Sequence, residues 1–129
     1  YAFITYLFMQ APFFDKIPTK IDKIIGELNL KIYQGIFLSL CAGVGEELLF
    51  RAGFQHYLGW WITAILFVAL HGYLNPFNWR FSVYGLIVLP FILLISLAYY
   101  QFGLWFCIAA HFSYDAVLFT FMINETKSK

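Results

Sequence analysis

Apolar positions in this chain come in long runs, several of them long enough to cross a bilayer, and short polar interruptions separate them. The runs predict spans at about 32–57, 59–74, 81–101 and 103–124. Connections around Leu58, at 75–80 and at 102–103 are short enough to make successive spans antiparallel neighbours. Pro90 falls inside the third span and predicts a kink there. Ahead of the spans, an apolar start reaches Phe14, too short to cross comfortably, and the first residue is Tyr1 rather than methionine. The expectation is a first helix that is cut; with no basic start and no small-residue cleavage site, it does not read as a signal peptide. Between Asp15 and Lys31, Ile17, Ile21, Ile24, Ile25 and Leu28 recur at helical spacing among Lys16, Lys20 and Lys23. That pattern predicts a helix lying in the membrane interface, with Pro18 near its start. The predicted fold is therefore all-α, a transmembrane bundle of about four complete spans with a truncated N-terminal span and an interfacial helix. It forms one membrane-embedded domain over 1–129.

Composition supports that class. Of the 129 residues, 62% are hydrophobic and 12% charged, and the mean hydropathy of +0.75 lies far outside the range of soluble domains. A net charge of +1 argues against a nucleic-acid partner. Cys41 and Cys107 both fall within apolar runs and are expected to pack as small hydrophobes. The basic residues Lys16, Lys20, Lys23, Lys31, Arg80, Lys127 and Lys129 all land on one side of the span model, which marks that side as cytoplasmic. Tyr57, Trp60, Trp61, Tyr99, Tyr100 and Trp105 gather near the opposite, uncharged turns, where an aromatic belt belongs. The small size and short loops lean toward a prokaryotic cell membrane.

The charges inside the spans carry the functional reading: Glu46, Glu47, Arg51 and Asp115, with His71 and His111 beside them. An ionisable group in hydrocarbon persists where it lines a cavity, has a partner or does chemistry. Counted from the outer turns at 1.5 Å per residue, Glu46 lies roughly 18 Å deep, His71 about 20 Å, His111 about 13 Å and Asp115 about 19 Å. Three helices thus bring polar groups to one level. Glu47 and Arg51, four apart, share a helix face and form an expected ion pair, while Glu46 is turned about 100° away. Ala42, Gly43 and Gly45 leave room for a neighbouring helix or a substrate. Singly, each group also reads as packing: the pair as structure, His71 and His56 as hydrogen-bonded residues, and His111 with Asp115 as an imidazole oriented by a carboxylate. Their common depth reads as a site.

Such a site suits water activation. A desolvated glutamate makes a general base, and two imidazoles with a carboxylate bind a metal such as zinc or hold the water and the developing oxyanion; both routes give peptide hydrolysis. No serine lies in a Gly-x-Ser-Gly setting and no His-Glu-x-x-His motif is present. Gly43-Val44-Gly45-Glu46 and Tyr114-Asp115 depart in residue type and order from the intramembrane aspartyl proteases.

Three motifs remain, in order: Glu46-Glu47-Leu48-Leu49-Phe50-Arg51, Phe67-Val68-Ala69-Leu70-His71 and His111-Phe112-Ser113-Tyr114-Asp115. This triplet, covering about 32–124, resembles the CPBP family of CAAX proteases and bacteriocin-processing (Abi) proteins, whose motifs are Glu-Glu-x-x-x-Arg, Phe-x-x-x-His and His-x-x-x-Asn or Asp. The resemblance implies an intramembrane endopeptidase. In it Glu46 activates water with His71, His111 and Asp115 position water or stabilise the oxyanion, and Glu47 with Arg51 holds the site together. Asp115 stands where the eukaryotic CAAX-processing members carry Asn, and an acid donates a hydrogen bond only when protonated, which shifts weight toward a metal on His71, His111 and Asp115, with Glu46 as a further ligand. The implied partners are the lipid bilayer and a peptide or protein substrate, prenylated or a leader peptide. The rival class is a non-catalytic membrane protein on the same scaffold, serving bacteriocin immunity or partner binding.

Overall fold

A computed structural model describes residues 1–12, 27–77 and 79–128. Among these the chain is entirely helical. Helix α1 is Ala2–Met9; α2 runs over 32–58 as three continuous stretches, α-helical Ile32–Glu47, π-helical Leu48–Phe54 and α-helical Gln55–Leu58; α3 is Trp60–Leu70. A last helical stretch, Trp79–Ser128, is broken at Gly103 into α4 (79–102) and α5 (104–128). The predicted interfacial helix falls almost wholly outside the described residues.

Two glycines make the corners. Gly59 (φ 79°, ψ 169°) joins α2 to α3 and Gly103 (φ 78°, ψ −177°) joins α4 to α5, conformations open to a residue without a Cβ. Each corner is a single residue, so α2 with α3 and α4 with α5 form tight helical hairpins. Helix α3 ends earlier than the predicted span: His71 is its C-cap, and Gly72 (φ 74°) follows in the left-handed region. The Gly72 amide donates to the Ala69 carbonyl (2.9 Å) and the Tyr73 amide to the Val68 carbonyl (3.2 Å), which is a Schellman motif. Backbone dihedrals stay helical through Pro90, and the connection predicted at 102–103 falls at Gly103.

By length and composition, one helical stretch among the described residues, Trp79–Glu125, is clearly apolar enough to cross a membrane, with a best window of mean hydropathy 2.4; Trp60–Leu70 is a shorter apolar helix. The polarity of the whole is inverted relative to a water-soluble protein. Glu47, Arg51, Gln55, Thr63, Ser96 and His111 are buried, while Phe37, Trp61, Leu86, Phe102 and Trp105 are exposed.

The first stretch of α2, Ile32–Glu47, packs on α5 through residues spaced by four: Gly35, Ser39, Gly43 and Glu47 are the buried positions of that stretch. Small residues there let the backbones approach. A Cβ at Gly43 would stand 3.1 Å from the Phe112 backbone nitrogen and 3.3 Å from the Ile108 carbonyl oxygen. Because Glu47 is the last member of this stripe, its carboxylate is delivered to the α2–α5 seam. Phe50, Phe67, Val68, Val88 and Ile92 form the apolar core beside it. Cys107 is fully buried as expected, whereas Cys41 lies on the outer side of α2 and is exposed, so only one cysteine packs inside.

Candidate active site

Six residues from two helices and the end of a third meet at this seam. Glu47 and Arg51, both wholly buried, form an ion pair with Nε to Oε2 at 3.0 Å. The guanidinium also lies 5.4 Å from the Phe67 ring centroid, and one of its Nη atoms donates to the Ile92 carbonyl at 3.4 Å. The other Glu47 oxygen, Oε1, lies 2.7 Å from Nδ1 of His111. Glu47 therefore links the cation of α2 to the imidazole of α5, a contact that cannot be read from spacing along either helix. The sequence pattern makes Asp115 the residue that orients His111. The structure gives that part to Glu47, since Asp115 Oδ2 stands at 3.5 Å from the opposite nitrogen, Nε2.

Glu46 points elsewhere, as its 100° offset requires. Its Oε2 lies 3.3 Å from Nε2 of His71 and 3.6 Å from Nε2 of His111, and its side chain keeps 30% of its exposure. His71 is held from behind: its Nδ1 contacts the Phe67 carbonyl oxygen at 2.8 Å, and its ring stacks on Phe67 with centroids 4.1 Å apart. The phenylalanine four residues before the histidine thus supplies both the acceptor and the stacking face. His56 lies away from the cluster, edge-on to Tyr57 near the Gly59 corner.

The shortest contact of each ring is at Nδ1, 2.7 Å for His111 and 2.8 Å for His71, and it assigns the neutral tautomer. A carboxylate and a carbonyl oxygen are both acceptors, so Nδ1 carries the proton in each neutral imidazole and Nε2 presents a lone pair. Both lone pairs face Glu46. The carboxylates and imidazoles open into a cavity of about 310 Å³ whose other walls include Val88, Ile92, Leu118 and Met122. That is large enough for a short stretch of extended peptide.

His111 Nε2 faces both Glu46 and Asp115, at 3.6 and 3.5 Å, while His71 Nε2 faces Glu46 at 3.3 Å. Among the described residues no group of three or more His, Cys, Asp or Glu side chains is arranged to hold a metal ion. The zinc expected on His71, His111, Asp115 and Glu46 would draw on these same four side chains.

An all-helical chain with apolar outer faces and a buried cluster of carboxylates, imidazoles and one guanidinium is a membrane protein built around a polar centre. It belongs to the Rce1-like family: the model of the type II CAAX prenyl endopeptidases, Rce1-like, matches residues 28–117, which include all six clustered residues. The uncharacterized protein YpbD of Bacillus subtilis (strain 168) is 35% identical over 100 residues, covering 71% of this chain and 50% of YpbD. The chain thus spans about half the length of that relative. No solved structure matches it.

Proposed function

We propose that this chain is an intramembrane endopeptidase that hydrolyses a peptide bond with a water activated by Glu46. The observation that carries the reading is the convergence of one partly exposed carboxylate with two Nε2 lone pairs, 3.3 and 3.6 Å away, at the polar end of a cavity. The family membership supports a peptide or protein as substrate. A prenylated C-terminal peptide and a leader peptide are the two classes to test.

A water held at Glu46 donates one hydrogen bond to the carboxylate and another to an Nε2. Glu46 takes its proton as the oxygen attacks the scissile carbonyl carbon, forming a C–O bond and moving the π electrons onto the carbonyl oxygen. The tetrahedral intermediate then collapses, the C–N bond breaks, and the departing amine receives the proton from Glu46. His111 keeps its orientation through Glu47, whose own charge Arg51 balances. Asp115 flanks His111 Nε2 and fixes the side from which the water is reached.

The same reading places the exposed apolar faces of α2 to α5 against lipid, with four spans and the corners at Gly59 and Gly103 on one side. Tyr57, Trp61, Tyr100 and Trp105 stand exposed beside those corners, as an aromatic belt requires. Lys31, Arg80 and Lys127 lie at the other ends of the helices, which makes that side cytoplasmic in the proposed topology. In this reading the protein is a single membrane-embedded domain.

Glu46→Gln tests the proposal, because the amide keeps size and hydrogen bonding and removes the base. Cleavage of peptide libraries in liposomes is expected to vanish while the thermal melt is unchanged. Undiminished cleavage by a stable Glu46→Gln protein would overturn the assignment, and wild-type protein that binds such peptides without cutting them would favour a binding scaffold.

A further inference from the structure

With the tautomers so assigned, the imidazole and carboxylate atoms that face the cavity are all acceptors in the neutral form of the site. Each imidazole has its Nδ1 proton held by another group, at 2.7 Å for His111 and 2.8 Å for His71, and ionised Glu46 and Asp115 have only lone pairs to offer. A water is well served by such a ring. The scissile carbonyl oxygen is not, because it gains negative charge in the transition state and needs a donor.

A donor stands two residues beyond His71. We propose that the hydroxyl of Tyr73 donates to the carbonyl oxygen of the scissile bond as charge builds on it, an inference that rests on the proteolytic reading of the site. Tyr73 lines the same cavity as Glu46, His111 and Asp115. Its ring stacks on that of His71 with centroids 5.7 Å apart and planes at 24°, and it packs edge-on against Tyr84 at 4.9 Å. Among the described residues nothing pairs with its hydroxyl, which lies within electrostatic reach of Asp115 and Glu46. The neighbouring Tyr114 hydroxyl is already engaged with Thr5 Oγ1 at 3.2 Å. A phenol keeps its proton up to about pH 10, so Tyr73 is a donor throughout the neutral range.

Its position is built by the backbone. The left-handed Gly72 and the Tyr73 amide bonded to Val68 turn the chain back over α3, so that Tyr73 returns beside His71. Gly85 on α4 leaves the space. A Cβ there would come within 2.8 Å of the Tyr73 Cβ and 3.1 Å of its carbonyl oxygen. Two glycines that are far apart in sequence thus seat one tyrosine.

The experiment uses the full chain in phospholipid bicelles and a library of internally quenched peptides, with and without a C-terminal prenylated cysteine. Wild type, Glu46→Gln and Tyr73→Phe are compared for kcat, KM and thermal melt. Tyr73→Phe is expected to lower kcat about 100-fold with KM changed by no more than about twofold and melting unchanged. A kcat within about threefold of wild type, or a rise in KM alone, overturns the role of Tyr73 while Glu46-dependent cleavage leaves the protease reading standing. Failure of every protein to cleave any library member overturns the reading and the tyrosine together. If Tyr73→Phe does not fold, 3,5-difluorotyrosine at position 73 decides the matter. Its more acidic phenol should move the alkaline limb of kcat to lower pH, and an unmoved limb counts against the proposal.

Discussion

Removing Glu47 should damage the fold far more than removing its neighbour Glu46. The Glu47 side chain is wholly buried, paired with an equally buried Arg51 at 3.0 Å and bonded to His111 at 2.7 Å. In Glu47→Ala the guanidinium keeps only the Ile92 carbonyl at 3.4 Å and the face of Phe67, so a buried cation is left without its counter-charge. Stranding one member of a buried pair costs on the order of 3–5 kcal/mol. Loss of the acceptor for His111 Nδ1 adds about 1–3 kcal/mol, not fully additive because the groups share one carboxylate. Glu46→Ala removes a side chain that is 30% exposed and whose contacts lie at 3.3 Å and beyond, and its effect should stay near 1 kcal/mol or below. For a domain of this size the difference corresponds to a melting shift of roughly 10 °C. Thermal melts of both variants in one detergent provide the comparison. A third variant sharpens it: Glu47→Gln with Arg51→Met replaces the ion pair by groups that need no counter-charge, and much of the lost stability should return. Equal melting of Glu47→Ala and Glu46→Ala would refute the claim that Glu47 is the structural carboxylate and Glu46 the free one.

Two nearby glycines should respond in opposite ways. Gly43→Ala places a Cβ against the backbone of Phe112 and Ile108, so α5 must retreat, at about 1–3 kcal/mol and with loss of turnover as His111 moves; Gly45→Ala meets nothing within 4 Å and should stabilise α2 by roughly 0.5–1 kcal/mol. Melting and cleavage of the two variants, measured side by side, check this. Thorough chelation should leave cleavage unchanged, since the proposed base is Glu46 itself; loss of activity that zinc restores, with near-stoichiometric metal by elemental analysis, would show that the site binds one.

The parts of this architecture that were legible in the sequence are those governed by local chemistry. Corners at Gly59 and Gly103 follow from glycines standing between apolar runs, and the Glu47–Arg51 pair follows from a spacing of four. The level at which Glu46, His71 and His111 meet could be counted because helices advance by a fixed rise. What could not be read depends on how faces are matched between helices. The bond from Glu47 to His111 arises from the register of α2 on α5, which Gly35 and Ser39 help to set, and neither stands out as a motif. The exposure of Cys41 belongs to the same register. The π-helical turn over Leu48–Phe54 leaves no mark in composition, and Tyr73 reaches the site through a helix cap whose glycine resembles any other loop residue. The expectation of a zinc site rests on residue types, and metal analysis of the protein decides it.

The single-residue corners have a consequence for how the chain matures. Contacts between Glu46 and His71 lie within the first hairpin, α2 with α3, and the one between His111 and Asp115 lies within the second, on α5. The contacts from Glu46 and Glu47 to His111 cross between them, beside the bonds from Arg51 to the Ile92 carbonyl and from Gln55 to the Ser96 carbonyl. Each hairpin makes its own contacts between residues close in sequence and is suited to form early, whereas docking of the two is a later, long-range event. In the proposed reading, a chain that is still being inserted holds two inert halves of the centre, and cleavage awaits the closing of the second hairpin on the first.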